Sequence, residues 1–314
     1  MPNLPGETPA GPFRRPVGTF APMHTITVVG AGTMGNGIAH VFAQHGRAVR
    51  LLDLDGEALD RARRTIERNL DRQVAKERLT SADAAATLER IALHTDLREA
   101  AAGTDLVVEV ATENEAVKRR LFGELDEAAP PAALLATNTS SISITRLAAA
   151  TRRPGQVIGM HFMNPVPIMR LVEVIRGYAT DDDTAAAVVA LARDIGKIPV
   201  EVNDYPGFVS NRILMPMINE AISTLWQGVA GVEEIDTVMM LGMAHPMGPL
   251  HLADFIGLDV CLSILRVLQE GFGEAKYAPC PLLVNMVAAG RLGVKSGEGF
   301  YVHEGKERRV SPRF

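Results

Sequence analysis

Two residues with complementary acid–base chemistry stand on either side of a short loop. His161 lies in the apolar run Val157–Phe162 and Glu173 in the run Ile168–Ile175, and Pro167 is midway between them. If the two runs are antiparallel strands, the imidazole and the carboxylate face each other across the pair. A neighbouring carboxylate fixes the tautomer of an imidazole and stabilises the cation formed when the ring takes a proton. The pair therefore suits alcohol oxidation with His161 as base; a core histidine satisfied by an acid is the alternative.

A glycine-rich segment supplies a second candidate site. It follows the β-rich run Thr25–Val29, opens an amphipathic stretch that extends to about Gly46, and consists of Gly30, Ala31, Gly32, Thr33, Met34 and Gly35. Glycines in this context allow a tight turn and the approach of backbone to a pyrophosphate, which the helix N-terminus attracts. Asp53 follows the next strand, Ala48–Leu52, and can accept hydrogen bonds from a ribose. No arginine stands beside it to hold a 2′-phosphate, so the segment predicts NAD; a turn without a ligand is the alternative.

Two other polar residues are candidates for contact with a substrate. Ser140 lies just after the predicted strand Ala133–Thr137, where its hydroxyl could bind a substrate oxygen. Alternatively, Thr139 to Ser141 cap a helix that begins near Ile142. Asn211 lies on the first helix after the turn at Pro206 and Gly207 and could orient a substrate carbonyl, or it could be an exposed or capping asparagine.

Strands and helices must alternate from His24 onward to position these residues. A long charged helix is predicted to extend to about Thr80. Further strand candidates are Ile91–His94, Asp105–Val110, Ala133–Thr137, Val157–Phe162, Arg170–Ile175 and Ile198–Val202. This alternation predicts an α/β domain with a Rossmann-type doubly wound sheet over residues 24–204. Residues 205–314 are rich in Leu, Met and Ala at helical spacing and predict a second, all-helical domain.

Composition limits the classes of protein that fit. Hydrophobic residues make up 47% and charged residues 22% of the 314 residues, which is typical of a globular protein. The net charge of −5 argues against a nucleic-acid partner, and no apolar stretch is long enough for a membrane span. Two cysteines without paired spacing favour free thiols in a reducing, cytoplasmic environment, and a disulfide between them is the alternative. No cluster with metal-ligand spacing occurs. Residues 1–23 carry six prolines and are expected to form a disordered extension, with Met23 as a candidate natural start.

Seven motifs occur in an order and at a spacing that resembles one enzyme family. Besides the glycine segment they are Asn138–Ser141, His161–Pro165, Leu171–Val174, Asp204–Arg212, His245–Pro249 and Lys295–Tyr301. Together, over nearly all of His24 to Val302, they resemble the 3-hydroxyacyl-CoA dehydrogenases, most closely the short bacterial 3-hydroxybutyryl-CoA dehydrogenases. Met163 departs from the phenylalanine that is common in its motif, an apolar change that leaves the chemistry intact.

The resemblance implies a role for individual residues. His161 matches the catalytic base and Glu173 the acid that orients it, while Ser140 and Asn211 match residues that bind the substrate oxygens. Matches to cofactor contacts are Glu113, Lys118, Asn164 and Lys295, in addition to the glycine segment and Ser140. Lys76, which continues a helical series of arginines (Arg61, Arg64, Arg68 and Arg72), matches a contact to coenzyme A; a solvated basic helix face is the alternative. The family is typically dimeric through its helical domain.

These observations predict an NAD-dependent enzyme that oxidises (S)-3-hydroxyacyl-CoA, with 3-hydroxybutyryl-CoA as the expected substrate, reversibly to the 3-ketoacyl-CoA. The substrate is expected to bind between the two domains. One alternative is a dehydrogenase of a free hydroxy or sugar acid, and another is a non-catalytic protein that retains the fold.

Overall fold

The computed structural model describes residues 22–305 and 307–314 of the chain. The chain divides into two compact units. The first contains residues up to Thr139 together with Ser143–Asp204, and the second contains Ser140–Ile142 and Tyr205–Phe314. Disorder is predicted for residues 1–23, and residues 1–21 of this segment lie outside the described part of the chain. Met23 is described, and it is buried at 6% exposure in the core of the first unit.

An eight-stranded sheet forms the centre of the first unit. Its strands are β1 (Thr25–Val29), β2 (Ala48–Leu52), β3 (Ile91–His94), β4 (Leu106–Glu109), β5 (Leu134–Thr137), β6 (Val157–Phe162), β7 (Leu171–Arg176) and β8 (Ile198–Asn203). The strand order is β3-β2-β1-β4-β5-β6-β7-β8. Only β6 and β7 pair antiparallel, while all the other neighbours in this sheet are parallel. The predicted α/β fold with a doubly wound sheet is confirmed.

Helices cover the sheet because its central strands are apolar on both faces. Every residue of β4, β5 and β6 is buried, as expected for strands with helices packed on either side. The helices of this unit are α1 (Thr33–Gln44), α2 (Gly56–Val74), α3 (Ser81–Glu89), α4 (Leu97–Ala101), α5 (Glu115–Ala128), α6 (Ile144–Ala148) and α7 (Asp182–Asp194). In α2, the residues Leu59, Ala62, Ile66 and Leu70 are buried at a spacing of three or four and form the apolar face of the helix.

The charged helix predicted to reach Thr80 is shorter than expected. It ends at Val74 with Ala75 as its C-cap, and Glu77 adopts a left-handed conformation with φ of 54°. Thr80 then caps α3 by accepting a hydrogen bond from the backbone N–H of Asp83 at 3.1 Å. The prediction that Lys76 continues the helical series of arginines is therefore wrong, and Lys76 lies in the exposed turn that follows α2.

Helices dominate the second unit. They are α8 (Ser210–Trp226), α9 (Val232–Thr237), α10 (Pro249–Ile256), α11 (Leu258–Phe272) and α12 (Pro281–Ala288). A core of aliphatic and aromatic side chains joins them, with Ile218, Leu250 and Leu265 fully buried. A two-stranded antiparallel ribbon, β9 (Tyr301–Glu304) and β10 (Glu307–Val310), follows the last helix and corrects the prediction of an all-helical domain. Within the described residues of both units, no helix has the length and apolar content needed to cross a membrane.

Candidate active site

His161 and Glu173 form a buried pair on the two antiparallel strands. Their Cα atoms are direct partners in the β6–β7 register, which confirms the register predicted from the sequence. The ring Nδ1 lies 2.8 Å from Glu173 Oε2, and the two residues are 9% and 2% exposed. With its proton on Nδ1, the neutral ring donates to the carboxylate and carries its lone pair on Nε2, which is the tautomer a general base requires. The pair therefore has the geometry of an oriented base.

The segment after β5 holds the end of β6 in place. The side-chain oxygen of Asn138 accepts a hydrogen bond from the backbone N–H of Phe162 at 2.7 Å. Phe162 directly follows His161, so this contact fixes the backbone next to the histidine. Because Asn138 follows β5, the bond also joins the carboxyl ends of two neighbouring strands, the edge at which open α/β sheets bind ligands.

The glycine segment has the shape that a dinucleotide needs. Gly30 has φ of +110°, and a Cβ atom there would lie 2.8 Å from the Cα of Ala111. A Cβ atom at Gly35 would overlap the carbonyl oxygen of Gly30. At Gly32, by contrast, an added Cβ would meet no protein atom within 4 Å, so open space remains beside the N-terminus of α1. The first N–H groups of a helix have no intrahelical partner, and this space suits a pyrophosphate there.

Asp53 lies at the carboxyl end of β2, beside the glycine segment. Its carboxylate accepts hydrogen bonds from the backbone N–H of Ala31 at 2.8 Å and of Asp55 at 3.0 Å. These bonds fix the side chain next to the turn between β1 and α1. A carboxylate in this position suits a ribose with a free 2′-hydroxyl and repels a 2′-phosphate.

Lys118 belongs to a buried polar network at the carboxyl ends of β4 and β5. Its ammonium nitrogen lies 2.5 Å from Glu109 Oε2, and both side chains are at most 1% exposed. The hydroxyl of Thr137 also donates to Glu109 Oε2, at 2.8 Å. Glu113 lies at the edge of the network, where its Oε2 is 3.9 Å from the ammonium and its Oε1 accepts from Thr139 at 2.8 Å. The ammonium of Lys118 faces Glu109, and its direct contact with the cofactor stays a prediction. Glu113 is partly exposed, so its carboxylate is accessible to a ligand.

Ser140 and Asn211 are brought together in the second unit. The side-chain amide of Asn211 donates to the backbone carbonyl of Ser140 at 3.1 Å. The alternative in which Thr139 to Ser141 cap a helix near Ile142 is wrong, because α6 begins at Ile144 and Ser143 is its N-cap. Ser140 is thus not the N-cap of α6, and its contact with substrate stays a prediction.

The remaining predicted site residues lie at exposed or half-exposed positions. Asn164 is exposed in the loop between β6 and β7, and Lys76 is exposed after α2. Lys295 lies in the second unit on the short 3-10 helix Val294–Ser296, and its ammonium pairs with Asp259 at 2.5 Å. The roles of these three residues stay predictions.

Comparison with known proteins places the chain in a family. Residues 25–205 match the NAD binding domain of 3-hydroxyacyl-CoA dehydrogenase, and residues 207–303 match the C-terminal domain of the same family. The chain belongs to the 3-hydroxyacyl-CoA dehydrogenase family.

Individual members of the 3-hydroxyacyl-CoA dehydrogenase family are similar over nearly their whole length. A probable 3-hydroxybutyryl-CoA dehydrogenase of Bacillus subtilis is 54% identical over 281 residues, which is 90% of this chain and 98% of the relative. A protein of the same description from Deinococcus radiodurans is 57% identical over 87% of this chain and 98% of the relative. The crystal structure of (S)-3-hydroxybutyryl-CoA dehydrogenase from Ralstonia eutropha superposes with a TM-score of 0.87 at 50% identity, covering 90% of this chain and 99% of that one.

The 3-hydroxyacyl-CoA dehydrogenase match confirms NAD as the cofactor predicted from the glycine segment and Asp53. It also confirms the resemblance inferred from the seven motifs.

Sequence reasoning missed two groups that support the site. Glu109 and Thr137 end their strands as polar residues after apolar runs, a signal that could have marked both as residues of the ligand-binding edge. Asp204 was noted only as part of a motif. Its Oδ2 accepts from the hydroxyls of Ser143 at 2.7 Å and Thr145 at 2.6 Å and from the N–H of Thr145 at 2.8 Å, so Asp204 fixes the start of α6.

Proposed function

We propose that this chain is an NAD-dependent dehydrogenase that interconverts (S)-3-hydroxybutyryl-CoA and the corresponding 3-ketoacyl-CoA. The buried pair of His161 and Glu173 carries the proposal, since it supplies an oriented base on a fold that binds NAD. The names of the relatives from Bacillus subtilis, Deinococcus radiodurans and Ralstonia eutropha support the choice of a four-carbon acyl thioester.

The mechanism follows from the chemistry of the side chains. His161 takes the proton of the 3-hydroxyl through Nε2, because Nδ1 is the nitrogen that faces Glu173. Glu173 stabilises the imidazolium by accepting from Nδ1–H, and the low exposure of both residues strengthens this interaction. When bound, NAD supplies the acceptor for the hydride that leaves C3 of the substrate. In the reverse direction the imidazolium returns the proton to the carbonyl oxygen.

Ser140 and Asn211 are assigned to the oxygens of the substrate. A hydroxyl and an amide are both able to donate to a thioester or ketone oxygen. The bond from Asn211 to the Ser140 carbonyl supports this assignment, because it couples the positions of the two residues. Glu113, Lys118, Asn164 and Lys295 are assigned to the cofactor. The ammonium of Lys118 also pairs with Glu109 and lies 3.9 Å from Glu113.

Lys76 is assigned to the phosphates of coenzyme A. It is exposed immediately after α2, whose surface also carries Arg61, Arg64, Arg68 and Arg72. Arg61 is engaged by Asp55 at 3.0 Å and Glu57 at 3.4 Å, so it is the least suitable of these cations for a phosphate. A basic surface of this kind attracts an anionic ligand despite the net charge of −5.

A homodimer formed through the helical unit is also part of the proposal. Several large apolar side chains of this unit are exposed, among them Leu241 at 81%, Val238 at 61% and Met243 at 60%. An exposed apolar cluster is typical of a surface that associates. Leu241→Glu is expected to shift the protein from dimer to monomer in sedimentation, whereas Leu54→Glu, at an exposed position of the first unit, leaves the dimer intact. A wild-type protein that sediments as a monomer at micromolar concentration would contradict the dimer.

We assign the enzyme to the cytoplasm. Cys261 and Cys280 are separate buried thiols, which suits a reducing compartment. Localisation of a tagged full-length chain in cell fractions tests this assignment, and recovery in a secreted fraction would contradict it.

The activity is tested by following NADH oxidation with acetoacetyl-CoA, free acetoacetate and longer 3-ketoacyl-CoA substrates. Turnover is expected with the four-carbon thioester, at a higher kcat/KM than with the longer ones, and the free acid should be inactive. NADPH should be a poor substitute for NADH because of Asp53. Turnover of the free acid but not the thioester would identify a hydroxy-acid dehydrogenase instead. Cofactor binding without turnover of any thioester would indicate a non-catalytic protein.

A further inference from the structure

The loop between β6 and β7, residues 163–170, connects the strand of His161 to the strand of Glu173. The loop contains one turn, in which the N–H groups of Ile168 and Met169 donate to the carbonyl of Pro165 at 3.0 and 2.9 Å. Ile168 is 73% and Met169 41% exposed, so their side chains contribute little to holding the loop. Val166, at 2% exposure, is its main apolar anchor.

Lys197 holds this loop from one side. The lysine precedes β8, and its ammonium donates to the carbonyl of Val166 at 2.5 Å and to the carbonyl of Met169 at 2.8 Å. Lys197 is only 8% exposed, and burial lowers the pKa of its ammonium. Among the described residues, no carboxylate forms a salt bridge with it. The charge is therefore compensated by the two loop carbonyls, which makes their positions depend on it.

The helix that starts at the glycine segment holds the loop from the other side. Gly37 of α1 packs so closely against Val166 that an added Cβ would lie 2.9 Å from the Val166 Cβ. In addition, the rings of Phe42 on α1 and Phe162 on β6 meet edge to face, with centroids 6.2 Å apart. The loop is thus confined between α1 and Lys197.

A neighbouring histidine on α1 bears on the charge of Lys197. His40, on α1, is electrostatically coupled to Lys197. His40 is fully buried, and burial lowers its pKa to about 4, so it is neutral at physiological pH and adds no repulsion. Lys197 can then remain charged beneath the loop.

We propose that Lys197 is a positioning residue for the dehydrogenase reaction, acting through the β6–β7 loop on His161 and Asn164. This inference rests on the proposed function for its effect on turnover. Lys197 touches neither reacting atoms nor cofactor; it fixes the carbonyls of Val166 and Met169 and thereby the backbone that joins the two halves of the acid–base pair. Small displacements of such groups slow catalysis strongly.

Lys197→Met tests the proposal, because it removes the ammonium and keeps most of the apolar stem. We expect kcat for acetoacetyl-CoA to fall about tenfold or more, while the Kd for NADH changes less than about threefold. Lys197→Arg is expected to restore part of kcat, since a guanidinium can donate to two carbonyls. Leu106→Ala is the control for loss of stability. Leu106 is a buried residue at the start of β4, so its truncation lowers Tm but should leave kcat near the wild-type value.

Hydrogen exchange gives a readout that does not depend on activity. In Lys197→Met, the amides of Ile168 and Met169 should exchange faster, and those of β6 and β7 should keep their protection. Unchanged exchange of the loop amides would overturn the proposal. A fall in kcat no larger than that of Leu106→Ala, at an equal loss of Tm, would overturn it as well. If Lys197→Met does not fold, Lys197→Gln serves for the same comparison. Absence of turnover in the wild-type protein would contradict the proposed function instead, and the exchange result would still decide the role of Lys197 in holding the loop.

Discussion

The Nδ1 atom of His161 lies 2.8 Å from Oε2 of Glu173, directly across two antiparallel strands. The sheet ladder makes their Cα atoms direct partners, which places the two side chains beside each other on one face of the sheet. Both β6 and β7 are hydrogen-bonded to neighbouring strands on both sides, so the pair lies on internal strands of the sheet. The antiparallel direction of β6 and β7 allows the short loop that joins them, so residues twelve positions apart in the sequence become direct neighbours.

Glu173→Gln should separate orientation of the base from binding of the cofactor. The amide can donate to Nδ1 and stabilise the wrong tautomer, and it no longer stabilises the imidazolium. We expect kcat to fall by roughly 10²- to 10⁴-fold, with the Kd for NADH nearly unchanged. Steady-state assays with acetoacetyl-CoA and fluorescence titration with NADH measure the two effects. Glu201→Gln, at a half-exposed position of β8, is the control and should keep full activity. Near-native turnover of Glu173→Gln would contradict the assigned role.

Gly32→Ala should weaken the cofactor without weakening the fold. The added methyl group meets no protein atom within 4 Å but enters the space beside the N-terminus of α1. We expect the Kd for NADH to rise about tenfold, a loss of about 1.4 kcal/mol of binding free energy, at an unchanged Tm. Gly56→Ala, also without close neighbours, is the control in α2 and should bind NADH normally. Equal affinities of the two variants would place the pyrophosphate elsewhere.

Lys118→Met should destabilise the first unit strongly. It leaves the carboxylate of Glu109 buried without its ion-pair partner, and such losses cost about 3–5 kcal/mol of unfolding free energy. Arg120→Met on the same helix removes an exposed cation and should change stability by less than about 0.5 kcal/mol. Denaturant unfolding of the two variants checks the difference. A loss below about 1 kcal/mol for Lys118→Met would show that the pair contributes little.

His40 predicts a loss of stability in mild acid. Burial lowers its folded-state pKa from 6.5 to about 4, so the unfolded chain binds a proton between these values that the folded chain does not. The free energy of unfolding is therefore unaffected by protonation of His40 above pH 6.5 and falls as the pH decreases from 6.5 towards 4. The total loss is on the order of 3 kcal/mol. His40→Gln should flatten the unfolding free energy over this range, while His24→Gln, at an exposed position, should not. Identical pH profiles for the wild type and His40→Gln would contradict the assignment.

The pairing of His161 with Glu173 was predictable because both residues are equally distant from the centre of one loop. Most strand limits were predictable for a similar reason, since each strand is a short apolar run between turn-forming residues. The end of α2 was not predictable, because the basic series continues past Val74 at helical spacing and a glutamate at position 77 gives no sign of a left-handed turn. The cap of α6 was ambiguous because Thr139, Ser140, Ser141 and Ser143 all have capping side chains. The contact of Lys118 with Glu109 depends on how α5 packs against β4, which spacing along the chain does not reveal.

Residues 140–142 belong to the helical unit although the chain on both sides of them belongs to the sheet unit. The polypeptide therefore passes between the units three times, and no single cut yields two self-sufficient fragments. A fragment that stops at Asp204 would keep Ser140 but lose the Asn211 amide that binds its carbonyl. For protein engineering, this means that a chimera of two relatives must take residues 140–142 from the same relative as its helical unit.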